Sequence, residues 1–306
     1  MDKSAFFTLF MTTAMVLFQC AGPNPGPLQI PPDFDWQGHR GCRGLFPENT
    51  VPAFVEALSF PEVRTLELDL AVSADSQLIV SHEPWFSPEI CLMPDGRRIT
   101  APEAEKLLIY RMSVEEIRQY DCGSVPHPRF PTQRRLSAHK PTLREVVEAV
   151  RAEYPERAEA LRWNIEIKSK PEWDGIRCPP PPEFAGLVIE TLRELGILER
   201  SVVQSFDPRP LRHARALAPD LTLALLVENG LGLEKNLDLL GFTPQIYSPH
   251  YPLATPALLK KCREKGMKII PWTVNEPEDM RRLIRIGVDG IITDYPDRIA
   301  QACTPG

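Results

Sequence analysis

No stretch of this 306-residue sequence is apolar for long enough to cross a bilayer, and none carries a CxxC or Cys/His spacing that suggests zinc. Neither a GxGxxG nor a GxxxxGKS loop occurs, so nothing in the motifs supports a dinucleotide- or nucleotide-binding open sheet. Basic residues are not in excess: 35 Lys and Arg face 41 Asp and Glu, for a net charge of −6. That balance leaves no electrostatic footprint for nucleic acid, and an anionic ligand must be met by a local cluster. With 43% hydrophobic and 25% charged residues, disorder and coiled coil are excluded, and the length suffices for one large domain or two smaller ones. Proline is abundant at 33 residues, which implies stiff loops and helix first turns rather than long unbroken helices.

The N-terminus reads as an address. Lys3 precedes an apolar stretch from Ala5 to Phe18, too short to span a membrane and typical of a signal-peptide core. Its end, Leu17-Phe18-Gln19-Cys20-Ala21-Gly22, resembles a bacterial lipoprotein cleavage box, which implies a lipid on Cys20 and membrane anchoring; conventional cleavage just after Cys20 to Gly22 is the alternative. The expectation is an exported protein, periplasmic or anchored as a lipoprotein, with residues 1–20 as signal peptide. The Pro-rich residues 21–34 form an extended tether, and the folded domain spans 35–301. Beyond Cys20, six cysteines remain, and in an exported chain they either pair, in a connectivity the sequence does not specify, or stay buried as free thiols.

From Asp33 onward the chain alternates strands and helices. Apolar runs recur at 35–38, 66–70, 163–167, 202–206, 221–227, 245–248, 268–274 and 290–293. Helix starts are marked between most of them, by Thr142 with Glu145 as a capping box, Asp207 before Pro208, Thr255 before Pro256, and Asn275 ahead of Glu276. Gly196, Gly266 and Gly287 sit where helices should stop. Eight such strands with crossovers predict an α/β fold, an irregular (β/α)₈ TIM-type barrel, with a doubly wound sheet as the alternative. Residues 78–82 form a further strand, too close to the preceding run for a parallel crossover. They must return as a hairpin through Ala74-Asp75-Ser76 and bring His82 to the C-terminal mouth. Residues 83–141, with two short helices near 103–109 and 114–120 and no barrel strand, read as an insertion beside that mouth.

Polar residues interrupt two strands with period two. In Leu66-Glu67-Leu68-Asp69-Leu70 both carboxylates share one face, as do Asn164, Glu166 and Lys168 on another strand. Covered parallel strands are normally continuously apolar, so charges on one face need a purpose, and in a barrel that face is the interior at the C-terminal end. Three carboxylates gathered there suit a hard divalent cation with oxygen ligands, Ca²⁺ or Mg²⁺, while simple pairing of Glu166 with Lys168, or of Glu67 with an arginine, is the alternative.

The first strand ends in His39-Arg40-Gly41, followed by Pro47-Glu48-Asn49-Thr50. With Glu67-Leu68-Asp69, Ser81-His82-Glu83, Glu166-Ile167-Lys168, Trp272-Thr273-Val274-Asn275 and the closing Gly287 to Asp294, this ordered set resembles the glycerophosphodiester phosphodiesterase family. Glu83 stands where the family more often has Asp, and Cys42 and Arg43 replace small residues. The resemblance implies that His39 and His82 are the catalytic pair and that Glu67, Asp69 and Glu166 hold the metal. It further implies that Arg40 and Lys168 meet the phosphate, in a metal-dependent hydrolysis of a small glycerophosphodiester to glycerol 3-phosphate and an alcohol. Two imidazoles suit acid and base work at neutral pH, and cation plus guanidinium plus ammonium suit the charge on the phosphoryl oxygens.

At strand ends, Phe206 and Trp272 are candidates for an aromatic wall, and Trp85 and Phe86, beside His82, either meet a cationic headgroup or anchor the insertion. His127 and His139 read as surface or loop-packing residues, His213 as structural, and His250 as packing near the mouth. The alternatives to the preferred activity are a phospholipid-cleaving barrel of the sphingomyelinase D or phosphatidylinositol phospholipase C type and an anchored, non-catalytic phosphate-ligand binding protein.

Overall fold

A computed structural model describes residues 28–304. Its strands are β1 (Asp35–Gly38), β2 (Val63–Val72), β3 (Leu78–Val80), β4 (Arg162–Ile167), β5 (Ser201–Ser205), β6 (Thr222–Val227), β7 (Ile246–Pro249), β8 (Lys268–Ile269) and β9 (Gly290–Thr293). Eight of them pair in parallel in the order β8-β7-β6-β5-β4-β2-β1-β9, and β3 alone runs antiparallel, against β2. Backbone bonds from Asp289 N to Ile269 O, Ile292 N to Pro271 O and Val274 N to Ile292 O link the two ends, so the sheet is a nearly closed barrel. The run expected to form a strand from Lys268 to Val274 is regular only at Lys268–Ile269, because Pro271 cannot donate to a ladder, and pairing resumes only as an isolated bridge at Trp272.

Helices form where their starts were marked. The hydroxyls of Thr142 and Thr255 cap Leu143–Glu153 and Pro256–Glu264, and the Asp207 carboxylate accepts from Arg209 N at Pro208–Leu217. For Pro277–Ile286 the cap is Glu276 rather than Asn275, whose side chain is held by Asp294. Leu66, Leu68 and Leu70 point outward into the main core between strands and helices, which leaves Glu67 and Asp69 inside. The barrel interior is itself divided. Val202, Ala224, Ile246, Ile270 and Ile292 pack together along β5 to β9. Opposite them runs a hydrogen-bonded chain in which the Asn164 amide donates to Gln37 (2.7 Å) and Gln204 (3.1 Å), and Gln204 donates to Glu67 (2.9 Å).

The hairpin turns at Ala74 to Ser76 and returns β3 beside Leu70 to Val72. Residues 83–141 then build a small core of their own, including Phe86, Ile109, Ile117 and Tyr120, stapled by a Cys91–Cys122 disulfide. The helices there are shorter than expected, Ala101–Ala104 and Val114–Ile117; the first stops because Leu107 and Leu108 pair with Phe86 and Trp85 instead of continuing a helix. Cys42, Cys178 and Cys262 are buried free thiols, and residues 1–27, including Cys20, lie outside the described residues.

Candidate active site

The register of β2 on β4 sets Asp69 beside Glu166 and Glu67 beside Asn164 on the interior face. One oxygen from each of Glu67, Asp69 and Glu166 lies within 4.8 Å of the others, and all three residues are buried. Such crowding is costly. Burial, then the charges of Asp69 and Glu166, push the Glu67 carboxyl well above its ordinary range, and burial followed by Asp69 raises Glu166 despite Lys168. Asp69 resists burial and stays low because Arg40, His82, Lys168 and the Asn49 amide surround it. Its Oδ1 is nevertheless buried without a hydrogen-bond partner. A set of three carboxylates with one orphaned oxygen fits a hard divalent cation, which would relieve the mutual repulsion and take the free lone pair.

His39 follows β1 directly, with its backbone N–H on Thr293 O at 2.8 Å. The turn that continues into Arg40 and Gly41 needs left-handed backbone at both (φ 51° and 85°), and a Cβ at Gly41 would meet the Ala53 carbonyl carbon at 2.6 Å. The His39 Nδ1 is 2.5 Å from Asp294 Oδ1, and its Nε2 is 3.8 Å from Glu67 Oε2. Burial lowers the His39 imidazole despite Asp294, helped by the charges of Arg40 and Arg43. Burial works against the Asp294 carboxylate as well, but His39, Arg43 and the Asn275 amide outweigh it and bring it down to about 2. His82 is two residues beyond β3, about one-third exposed, with its Nδ1 2.6 Å from Glu83 Oε1.

These groups surround a cavity of about 500 Å³ at the C-terminal mouth. Of the residues singled out from sequence, His39, Arg40, Glu67, His82, Glu166 and Lys168 line it, as do Trp85, Phe206 and Trp272. Asp69 lies just behind the surface, 1% exposed. The pairing foreseen as an alternative is real in part: Lys168 Nζ is 2.8 Å from Glu166 and 3.7 Å from Asp69, and the Arg40 guanidinium bridges Glu48 (2.6 Å) and Asp69 (3.2 Å). Phe206 and Trp272 meet edge to face at 5.3 Å. Trp85 meets Trp173 in the same way, and the Arg177 guanidinium covers the Trp85 ring at 4.7 Å. Phe86 does not reach the cavity; it is fully buried and stacked 4.0 Å from Tyr120, so it anchors the insertion. His127 is buried 3.6 Å from Glu48, His250 packs on Trp272, and His213 is exposed.

Sequence reasoning assigned no role to Asp294, Gln204, Glu48, Asn49 or Lys140. Gln204 carried a weaker form of the signal that marked Glu67 and Asp69, one polar residue on the inner face of an apolar strand. Glu48 and Asn49 were present in the Pro47 to Thr50 motif but could not be tied to Arg40 and Asp69 without the turn geometry.

Comparison with known proteins agrees with this arrangement. The sequence model of the glycerophosphoryl diester phosphodiesterase family matches residues 39–298. A relative from Caldanaerobacter subterraneus, named glycerophosphodiester phosphodiesterase, is 32% identical over 88% of this chain and 97% of its own length. A crystal structure of a candidate glycerophosphoryl diester phosphodiesterase from Silicibacter pomeroyi superposes with a TM-score of 0.78 at 31% identity, covering 90% of this chain and 95% of that one. An Oleispira antarctica phosphodiesterase, solved with its product sn-glycerol-3-phosphate, shares the fold at a TM-score of 0.67 and 21% identity, over 88% of this chain and 96% of that one.

Proposed function

Since the chain belongs to the glycerophosphoryl diester phosphodiesterase family and is a phosphodiesterase, we propose that it hydrolyses small glycerophosphodiesters to glycerol 3-phosphate and an alcohol, with a divalent cation, Ca²⁺ or Mg²⁺, held by Glu67, Asp69 and Glu166. The observation that carries the reading is the convergence on one cavity of two histidines from different strands and the carboxylate cluster. Family membership favours neither the phospholipid-cleaving nor the non-catalytic alternative.

The histidines differ in a way that divides their labour. Asp294 accepts the Nδ1 proton of His39, which leaves Nε2 as a lone pair on a neutral ring, the state of a general base. Glu83 holds His82 through Nδ1, which orients the ring, and its place on the cavity wall suits a general acid that protonates the departing alkoxide. Lys168, at the cavity wall, and Arg40 would place positive charge beside the phosphoryl oxygens, where charge gathers in the transition state. A bound cation would supply Lewis-acid polarisation of the same oxygens.

The Cys91–Cys122 disulfide supports export, because such bonds persist in oxidising compartments. In this reading the segment before Cys20 directs export and Cys20, the first mature residue, carries a lipid; the tether expected over 21–34 is confined to its first part, since Leu28, Ile30 and Phe34 pack on the barrel core. Mass spectrometry of the mature N-terminus from the native host tests it. The activity is tested by product analysis on glycerophosphocholine, glycerophosphoethanolamine, intact phospholipids and lysophospholipids. Glycerol 3-phosphate from the first two is the expected result, and cleavage restricted to the lipids would overturn the reading.

A further inference from the structure

Lys140 is a basic side chain that neither substrate nor solvent reaches. It is 5% exposed and does not line the cavity. Among the described residues no carboxylate lies within ion-pair distance of it; Glu83, Glu48 and Asp69 act on the ammonium only from farther away, and burial outweighs them and lowers it. Its one hydrogen bond, 2.7 Å, goes from Nζ to the Ser81 hydroxyl. Ser81 Oγ in turn donates to the Glu83 carbonyl at 2.6 Å, and Ser81 N donates to Asp69 O at 2.9 Å. The ring of Phe86 lies 5.8 Å from the ammonium. Lys140 thus reaches, from the far end of the insertion, into the three-residue turn that carries His82, and an adjacent bond from Val80 N to Pro141 O closes the same junction.

We propose that Lys140 is a positioning residue: by gripping Ser81 it fixes the Ser81–Glu83 turn and so aims His82 at the cavity, which makes the insertion part of the catalytic geometry rather than a cover. This rests on the reading of His82 as the acid. A plain packing role would be served by an apolar side chain, which carries none of the desolvation cost of a buried ammonium. The charge therefore points to a task other than stability.

Lys140→Met keeps the length of the stem and removes the ammonium. The expected result is a fall in kcat of about 10- to 100-fold from loss of alignment, with KM and melting temperature close to wild type. Hydrogen exchange in the peptide covering Ser81 to Phe86 should be faster. Ser81→Ala severs the same link with Lys140 left in place, so it decides the matter if Lys140→Met fails to fold. The double variant should be no slower than the slower single one, because both remove one connection. Wild-type kcat and exchange in Ser81→Ala, or additive losses in the double variant, would overturn the proposal. Should the wild-type protein cleave no glycerophosphodiester, the functional reading falls, while the exchange comparison still decides the grip on the turn.

Discussion

Replacing Asp294 by asparagine changes one oxygen to an amide nitrogen and, by the geometry of the site, inverts the proton on His39. Asp294 Oδ2 accepts from the Asn275 amide at 2.8 Å, and Oδ1 faces His39 Nδ1 at 2.5 Å. In Asp294→Asn the carbonyl oxygen must stay with Asn275, so the new NH₂ points at Nδ1. His39 then accepts there and carries its proton on Nε2, the atom facing Glu67 and the cavity. A base in the wrong tautomer cannot take a proton, and the expected loss in kcat is about 10²- to 10⁴-fold, the usual contribution of acid–base catalysis. Stability falls as well. A carboxylate whose pKa drops from 3.8 unfolded to about 2 folded contributes on the order of 2 kcal/mol. That stability is present above about pH 4 and is lost as pH falls through about 2, so the wild type and the variant converge in strong acid. Steady-state kinetics with glycerophosphocholine, ¹⁵N shifts of the His39 ring and urea titrations at several pH values measure all three. Turnover within tenfold of wild type, or an unchanged tautomer, would refute the reasoning.

Other outcomes follow from the same geometry. His82→Ala lowers kcat by about 10²- to 10⁴-fold with little change in KM, measured by steady-state kinetics. Phe86→Ala costs about 3 to 5 kcal/mol in the insertion's core by denaturant titration. Trp85→Ala lowers kcat/KM by one common factor for choline, ethanolamine and glycerol headgroups, because Arg177 already covers the ring; a loss selective for choline would contradict this. Reducing Cys91–Cys122 removes a cross-link over a sequence separation of 31, worth roughly 3 to 4 kcal/mol, and hydrogen exchange should rise within residues 83–141 and not in the barrel.

The carboxylates were legible in the sequence because a parallel strand turns alternate residues to opposite sides: once Leu66, Leu68 and Leu70 are assigned to the core, Glu67 and Asp69 have only the interior left. The hairpin that delivers His82 was legible for the complementary reason that seven residues cannot make a parallel crossover. Asp294 was harder to assign, since it follows the last strand and meets His39, at the end of the first, only when the barrel closes. Its partnership spans 255 residues. Lys140 was hidden in a Pro- and Arg-rich segment where a surface location is the ordinary expectation, and only the docking of the insertion buries it. β8 ends early because Pro271 interrupts its ladder, whereas the first helix of the insertion is cut short by tertiary pairing of Leu107 and Leu108 that overrides local pattern.

The central claim is that Glu67, Asp69 and Glu166 hold a divalent cation on which phosphodiester hydrolysis depends. The most direct measurement is calorimetric titration of chelated protein with Ca²⁺ and Mg²⁺, alongside glycerol 3-phosphate release, for wild type and Glu166→Gln. The account predicts that chelation abolishes product release, that one of the two ions restores it on binding at a single site, and that Glu166→Gln binds that ion at least about 10-fold more weakly. Undiminished product release from exhaustively chelated protein, or unchanged ion affinity in the variant, would contradict it.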